Sequence, residues 1–230
     1  MVGFMSVSFN GIGIIFDLDG TLIDTADDLA ASMNHVLVET GRAPIDPSSV
    51  RSLVGFGAKA LINKGIERSA GETIDDKEME RCVEIFLRHY LANIAVASRP
   101  FPKALEAINQ LSKAGARIAV CTNKQEGPAC QLIEQLGLSH LFDVIVGSDT
   151  TIAAKPDPAP VRLCMEKMAV DRAVFVGDSD TDINAAIAAD LPCLLHENGY
   201  GPATKKALSQ GSFDNYNDFP ALAAKVLNLA

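Results

Sequence analysis

Apolar and polar positions along the chain follow two regimes. In the first, short apolar runs alternate with amphipathic stretches. Ile12 to Phe16 is a continuous apolar run that stops at Asp17, the pattern of a buried strand ending in a polar turn. From Phe101 onward the alternation is regular, with helices expected over 102–114, 127–136, 158–168 and 181–189. Strands are expected between them over 117–121, 144–146, 173–176 and 193–195, and a final helix over 221–229. Apolar strands separated by amphipathic helices predict parallel βαβ units and a doubly wound α/β sheet.

The second regime is purely helical. Asp24 to Glu39 carries Leu29, Met33, Val36 and Leu37 at helical spacing, with acids in its first turn and Gly41 and Pro44 to close it. Helical patterns follow over 50–54, 58–66 and 75–95, the last with Met79, Val83, Phe86, Tyr90 and Leu91 as its apolar face. No strand pattern interrupts 47–97. This stretch reads as an α-helical cap over 25–98 inserted into a core made of 1–24 and 99–230. The joins fall near Asp24–Ala26 and Ser98–Pro102.

Composition bounds the partners. With 230 residues, 48% of them hydrophobic, the chain can hold a core with a smaller inserted unit. Lys and Arg total 20 against 29 Asp and Glu, a net charge of −9 that argues against nucleic-acid or anionic-membrane binding. An anionic substrate must be drawn by a local field from a metal ion, a lysine or helix N-termini. Cys82, Cys121, Cys130, Cys164 and Cys193 are scattered without a C-x-x-C pair, which suits reduced thiols and no zinc site. The first basic residue is Arg42, so neither a secretory signal nor an Arg-rich transit peptide is expected. No stretch approaches the roughly 18 apolar residues needed to span a bilayer. A cytoplasmic protein, monomeric or homodimeric, is expected.

Candidate chemistry gathers where strands end. Phe16-Asp17-Leu18-Asp19-Gly20-Thr21 follows the first strand, Thr122-Asn123 follows the strand at 117–121, and Gly177-Asp178-Ser179-Asp180-Thr181-Asp182 follows the strand at 173–176. In a parallel sheet these ends share one edge, where ligands collect. Two carboxylates as close as Asp17 and Asp19 repel each other unless a cation or a proton intervenes. With Asp178 and Asp182 they suit a hard cation such as Mg2+, and they supply a nucleophile beside a general acid. Thr122 offers a hydroxyl, and the backbone after it leads into a helix that can cradle an anion. Lys155, in Ala154-Lys155-Pro156-Asp157-Pro158, is held by two prolines and can neutralise charge developing on a phosphoryl group. Lys124 reads as a solvated surface lysine. His35, His89, His140 and His196 share no metal-ligand spacing.

Taken together, Asp17-Leu18-Asp19-Gly20-Thr21, Thr122, Lys155 and Gly177-Asp178-Ser179-Asp180-Thr181-Asp182 resemble the four motifs of the haloacid dehalogenase superfamily, and the helical insertion resembles its small α-helical cap. The resemblance implies Asp17 as nucleophile, forming an aspartyl-phosphate, and Asp19 as the acid that protonates the leaving alcohol and then activates water. It implies that Thr122, Asn123, Gly20 and Lys155 surround the phosphoryl group. Mg2+ would be bound by Asp17, the Asp19 carbonyl and Asp178, with Asp182 as ligand or support. The second aspartate, Asp19, favours phosphoryl transfer over dehalogenation. Asp27-Asp28-Leu29-Ala30-Ala31, the stretch from Leu53 to Leu61 and Cys121-Thr122-Asn123-Lys124 are similar to segments of the phosphoglycolate phosphatase subgroup, which implies hydrolysis of 2-phosphoglycolate. In that stretch the Gly55-x-Gly57 turn lets backbone approach a small substrate, and Lys59 is a candidate for its carboxylate. Asp190 departs from the pattern, standing where members have a glycine after the last motif helix.

Other readings differ in identifiable features. A phosphatase for a sugar phosphate or pyrophosphate would share the motifs and differ in the cap. A phosphomutase would need a cap base, for which His35 is the nearest candidate. A receiver-like signalling module would be about half this length, with its aspartate mid-chain and no cap.

Overall fold

In the computed structural model, which describes residues 7–229, the chain begins its sheet with β1 (Ile12–Phe16), buried along its whole length. A strand covered on both faces needs apolar residues at every position, which explains the unbroken run. A two-residue β2 (Ile23–Asp24) leads into the helices α1 (Ala26–Glu39), α2 (Pro47–Val50), α3 (Ala58–Ala70) and α4 (Asp76–Ala92). β3 (Arg99–Pro100) then pairs antiparallel with β2, Ile23 opposite Pro100 and Asp24 opposite Arg99. Departure and return of the helical segment are thereby held side by side.

The alternating part follows as α5 (Ala104–Lys113), β4 (Arg117–Cys121), α6 (Glu126–Gln135), β5 (Val144–Val146), α7 (Ala159–Met168), β6 (Arg172–Gly177), α8 (Asp180–Ala188) and β7 (Cys193–His196). A short β8 (Gly211–Phe213) and α9 (Phe219–Val226) complete it. Among the described residues the main sheet is parallel throughout, ordered β5-β4-β1-β6-β7-β8. The expected α/β architecture is therefore the observed one. β1 lies centrally, so its carboxyl end is flanked by those of β4 and β6.

Each face of the sheet has its own apolar layer. Ile14, Phe16, Val120 and Val176 pack with Ile108 of α5, Leu132 of α6 and Phe219 of α9. Ile15, Cys121 and Phe175 pack on the other face with Cys164 of α7 and Ile183 of α8. The helical segment continues the first layer through Met33, Ile62, Ile66, Cys82 and Phe86.

Two local features differ from expectation. The helix expected over 50–54 starts earlier, at Pro47, because Asp46 accepts a hydrogen bond from Ser48 N at 2.9 Å and proline suits a first helical turn. The segment 51–53 is a single 3₁₀ turn. The edge strand β8 had no signal, since Gly-Ser-Phe offers neither an apolar run nor alternation. All five cysteines are free, and no helix among the described residues is long and apolar enough to cross a membrane.

Asp190 follows the last turn of α8 with φ +60°, a left-handed conformation that favours glycine. Leu191 N donates to Ala186 O at 2.9 Å across it, closing the helix end. Asp190→Gly is expected to stabilise the protein by about 0.5–1 kcal/mol, because it removes left-handed strain from a site where no side chain is needed. In a thermal melt this corresponds to a Tm higher by about 1–4 °C.

Candidate active site

The carboxyl ends of β1, β4 and β6 bring the motif residues to one place. Asp17 N donates to Val176 O at 2.8 Å, which fixes the nucleophile candidate against β6. Just beyond, Gly20 turns with φ +84°, and a Cβ there would lie 2.6 Å from Asp178 Oδ2. Only glycine gives both the conformation and the room. The turn is anchored from behind: Tyr216 Oη donates to Thr21 O at 2.8 Å, Phe101 N donates to Leu22 O at 2.9 Å, and His196 Nδ1 lies 3.0 Å from Gly20 O.

Asp178 is held by neutral donors. Its Oδ1 accepts from Thr21 Oγ1 at 3.0 Å, and its Oδ2 from Tyr200 N at 2.7 Å and Gly201 N at 3.1 Å. Gly199 permits this close wrap, since a Cβ on it would come within 2.1 Å of Asp178 Cβ. Asp182 behaves differently. Its Oδ2 accepts from Asp178 N, Ser179 N and Ser179 Oγ at the start of α8, while its Oδ1 takes Lys155 Nζ at 2.7 Å. Both oxygens are used by the chain itself, so Asp182 aims Lys155 as well as lying near the other carboxylates. Lys155 Nζ is 2.9 Å from Asp17 Oδ1. Burial works against the Lys155 ammonium, but Asp17 and Asp182 hold its pKa above the ordinary lysine value.

Asp17, Asp178 and Asp182 each present a carboxylate oxygen within 4.8 Å of the others, and all three are buried. Burial raises the pKa of Asp17 well above the ordinary carboxylate range; Lys155 opposes this and the neighbouring Asp182 and Asp178 reinforce it. Asp178 is raised by burial and by Asp182. Three buried carboxylates facing one ammonium leave uncompensated negative charge, and hard oxygen donors so placed fit a divalent cation of the magnesium type. The side chain of Asp19 is not part of this cluster.

Asp19 instead turns towards Thr25 and Lys124. Its Oδ1 accepts from Thr25 Oγ1 at 2.7 Å and its Oδ2 pairs with Lys124 Nζ at 2.8 Å. This corrects the expectation of a solvated Lys124: its side chain is only 8% exposed and sits inside the site. Burial disfavours its charge, but Asp19 and Tyr90 hold its pKa above the ordinary lysine value.

Thr122 is buried, with its N–H donating to Val146 O at 3.0 Å and its Oγ1 accepting from Lys124 N at 3.1 Å. Asn123 Nδ2 donates to Lys155 O at 3.0 Å and, across to the helical segment, to Gly55 O at 3.3 Å. Asn123 Oδ1 is buried without a partner. These groups floor a cavity of about 400 Å³ lined by Asp17, Asp19, Thr122, Lys124 and Lys155 on one side and by residues of 54–61 and α4 on the other. Lys59 lies on its wall, in the first turn of α3, exposed. His35 is absent from the lining and stacks on His89 with ring centres 4.3 Å apart, so the candidate for a mutase base does not line the cavity. The pattern of the sequence missed Thr25, Tyr90 and Tyr200. Tyr90 counts as apolar in a helical periodicity, and Thr25 and Tyr200 belong to no motif.

Residues 14–195 match the family model described as haloacid dehalogenase-like hydrolase. The chain belongs to that family. This hydrolase is 42% identical over 189 residues to a phosphoglycolate phosphatase of Mesorhizobium japonicum, covering 81% of this chain and 83% of that one. It is 37% identical over 216 residues to a phosphoglycolate phosphatase of Rhodospirillum rubrum, covering 91% and 88%. Its fold is similar to a crystal structure described as a predicted phosphoglycolate phosphatase from Haemophilus somnus, with TM-score 0.84, 28% identity and coverage of 91% and 96%. It is a phosphatase-type member of its family, phosphoglycolate phosphatase-like in sequence.

The raised carboxylates give the candidate cation site a pH dependence of defined sign. In the metal-free protein Asp17 and Asp178 bind protons more readily than in the unfolded chain. Their charge therefore disfavours folding increasingly as pH rises from the carboxylate range towards neutrality. A divalent cation bound there would have to displace those protons, so its affinity is expected to strengthen as pH rises through the same interval. Titration calorimetry in buffers of different ionisation enthalpy is expected to show proton release at mildly acidic pH that fades under alkaline conditions. Affinity independent of pH would contradict the assignment.

Proposed function

We propose that this hydrolase removes phosphate from small phosphorylated metabolites through an aspartyl-phosphate on Asp17, with 2-phosphoglycolate as its principal substrate. In this reading 1–24 and 99–230 form the core, 25–98 form the cap, and the enzyme works in the cytoplasm. The observation that carries it is the placing of Asp17 and Asp19 on the floor of one cavity with Thr122 and Lys155 beside them. The identity of 35–42% to phosphoglycolate phosphatases supports the substrate.

An Asp17 oxygen attacks phosphorus in line with the ester bond, forming a phosphoryl–carboxylate bond as the ester bond breaks. The electron pair of that bond goes to the leaving oxygen, which takes a proton from Asp19. In the second half Asp19 takes a proton from water, whose oxygen attacks phosphorus and returns Asp17 as a carboxylate. Lys155 and the Thr122 hydroxyl, with the N–H groups after it, hold the equatorial oxygens, where charge is spread in the transition state. Asp17, Asp178 and the Asp19 carbonyl would hold Mg2+, which supplies charge neutralisation on the phosphoryl side. Asp182 keeps Lys155 aimed. The helical segment over the cavity limits water to the molecule that reacts.

Phosphate release from 2-phosphoglycolate, hexose phosphates and pyrophosphate in the presence of Mg2+ tests both parts. The highest kcat/KM is expected with 2-phosphoglycolate, and Asp17→Asn is expected to lower kcat by about a thousandfold or more. A different leading ester would overturn the substrate, and an active Asp17→Asn protein would overturn the nucleophile.

A further inference from the structure

Among the cavity groups that the reaction as described leaves unused, two stand side by side. Tyr90, on α4, is 2% exposed and lines the cavity, and its hydroxyl has no hydrogen bond of regular geometry. Its nearby cation, Lys124, can only donate to it, so the phenolic proton is buried without an acceptor, which is costly and marks a place where one is missing. Beside it stands Lys124, whose ammonium is 4.9 Å from the centre of the Tyr90 ring and 2.8 Å from Asp19 Oδ2. With Thr25 on the other oxygen, both oxygens of Asp19 are engaged. The cluster joins the helical segment, through Tyr90, to the turn after β4, through Lys124.

We propose that Lys124 and Tyr90 form the subsite for the carboxylate of the leaving group, and that its occupation draws Lys124 away from Asp19. The proposal rests on the substrate reading above. In 2-phosphoglycolate the carboxylate carbon is bonded to the carbon that bears the ester oxygen. A residue that reaches the ester oxygen and one that reaches the carboxylate must therefore be neighbours. Asp19 and Lys124 are in direct contact, and each can serve one of those atoms. The ammonium and the phenol are both donors, which suits a carboxylate accepting two hydrogen bonds. The remainder of the α4 wall is Val83, Phe86 and Leu87, which offer nothing to the hydroxyls of a sugar. A carboxylate that takes Lys124 leaves Asp19 Oδ2 unpaired, so that it can take up a proton from water and turn towards the leaving oxygen; correct substrate thus completes the acid. A phosphoester without the carboxylate leaves the ion pair closed.

The test compares 2-phosphoglycolate with 2-hydroxyethyl phosphate, which carries a hydroxymethyl group in place of the carboxylate, in wild type, Tyr90→Phe, Lys124→Gln and Lys124→Arg. The readout is the ratio of the two kcat/KM values, which a general loss of structure would not shift. Wild type is expected to prefer 2-phosphoglycolate. That preference falls about tenfold in Tyr90→Phe and about a hundredfold in Lys124→Gln. Lys124→Arg, which keeps the charge, retains the larger part of it. Tyr90→Phe is expected to change Tm little, since Lys124 keeps its ion pair with Asp19 without the hydroxyl. Variants that lose activity on both esters equally would overturn the subsite and leave the substrate reading intact. A wild type that does not distinguish the two esters would overturn both.

Discussion

Asp17, Asp19, Asp178 and Asp182 are buried together at the carboxyl edge of the sheet, and Lys155 and Lys124 are the ammonium groups that meet them there. Carboxylates taken out of water repel strongly, and each needs a cation, a proton or aimed donors. Each solution in the site is different. Asp182 is neutralised by Lys155 and by the N–H groups opening α8, Asp178 by backbone donors at 200 and 201, and Asp19 by Lys124 and Thr25. Asp17 shares Lys155 with Asp182 and has the least compensation. In the proposed reaction it is this least-compensated carboxylate that attacks phosphorus.

The backbone bears the cost of this crowding. Gly20 turns left-handed over Asp178, and Gly199 passes so close that any side chain would strike it. Behind these turns, Phe101, His196, Phe213, Tyr216 and Phe219 form a packed aromatic cluster whose polar atoms hold the carbonyls of Gly20 and Thr21. The site thus rests on a rigid apolar base on one face of the sheet, and pre-organised groups need no rearrangement as charge develops.

The fold was legible because burial on both faces of β1 forces an unbroken apolar run, and because a run that stops at Asp-x-Asp announces its own carboxyl end. Lengthy amphipathic helices without strands between them announced the insertion equally clearly. What escaped was set by long-range contact. Lys124 is an ordinary lysine in sequence, and its burial depends on Asp19, more than a hundred positions away, meeting it at 2.8 Å. Tyr90 fits a helical apolar stripe whether or not its hydroxyl faces a cavity. The strand β8 exists because β7 offers an edge to pair with, a reason that lies outside residues 211–213.

In the proposed reaction the division between the two parts of the chain follows the division of the substrate. Strand ends are rigid, and groups on them can hold the one feature every phosphoester shares. The leaving group differs between esters, and in the proposed reaction it would meet α4 and the 54–61 turn, which wall the cavity opposite the strand ends. Recognition of that group has to come from the helical segment and from whichever sheet-side residue touches it. Asn123 joins Gly55 O to Lys155 O, and at the join Asp24 binds both Arg51 of the helical segment and Tyr200 of the sheet side. Any movement of the helical segment would therefore act on the residues that flank Lys155. An enzyme of this construction can change its substrate by altering the helical wall while the charge arrangement at the strand ends, which is what makes the chemistry possible, stays as it is.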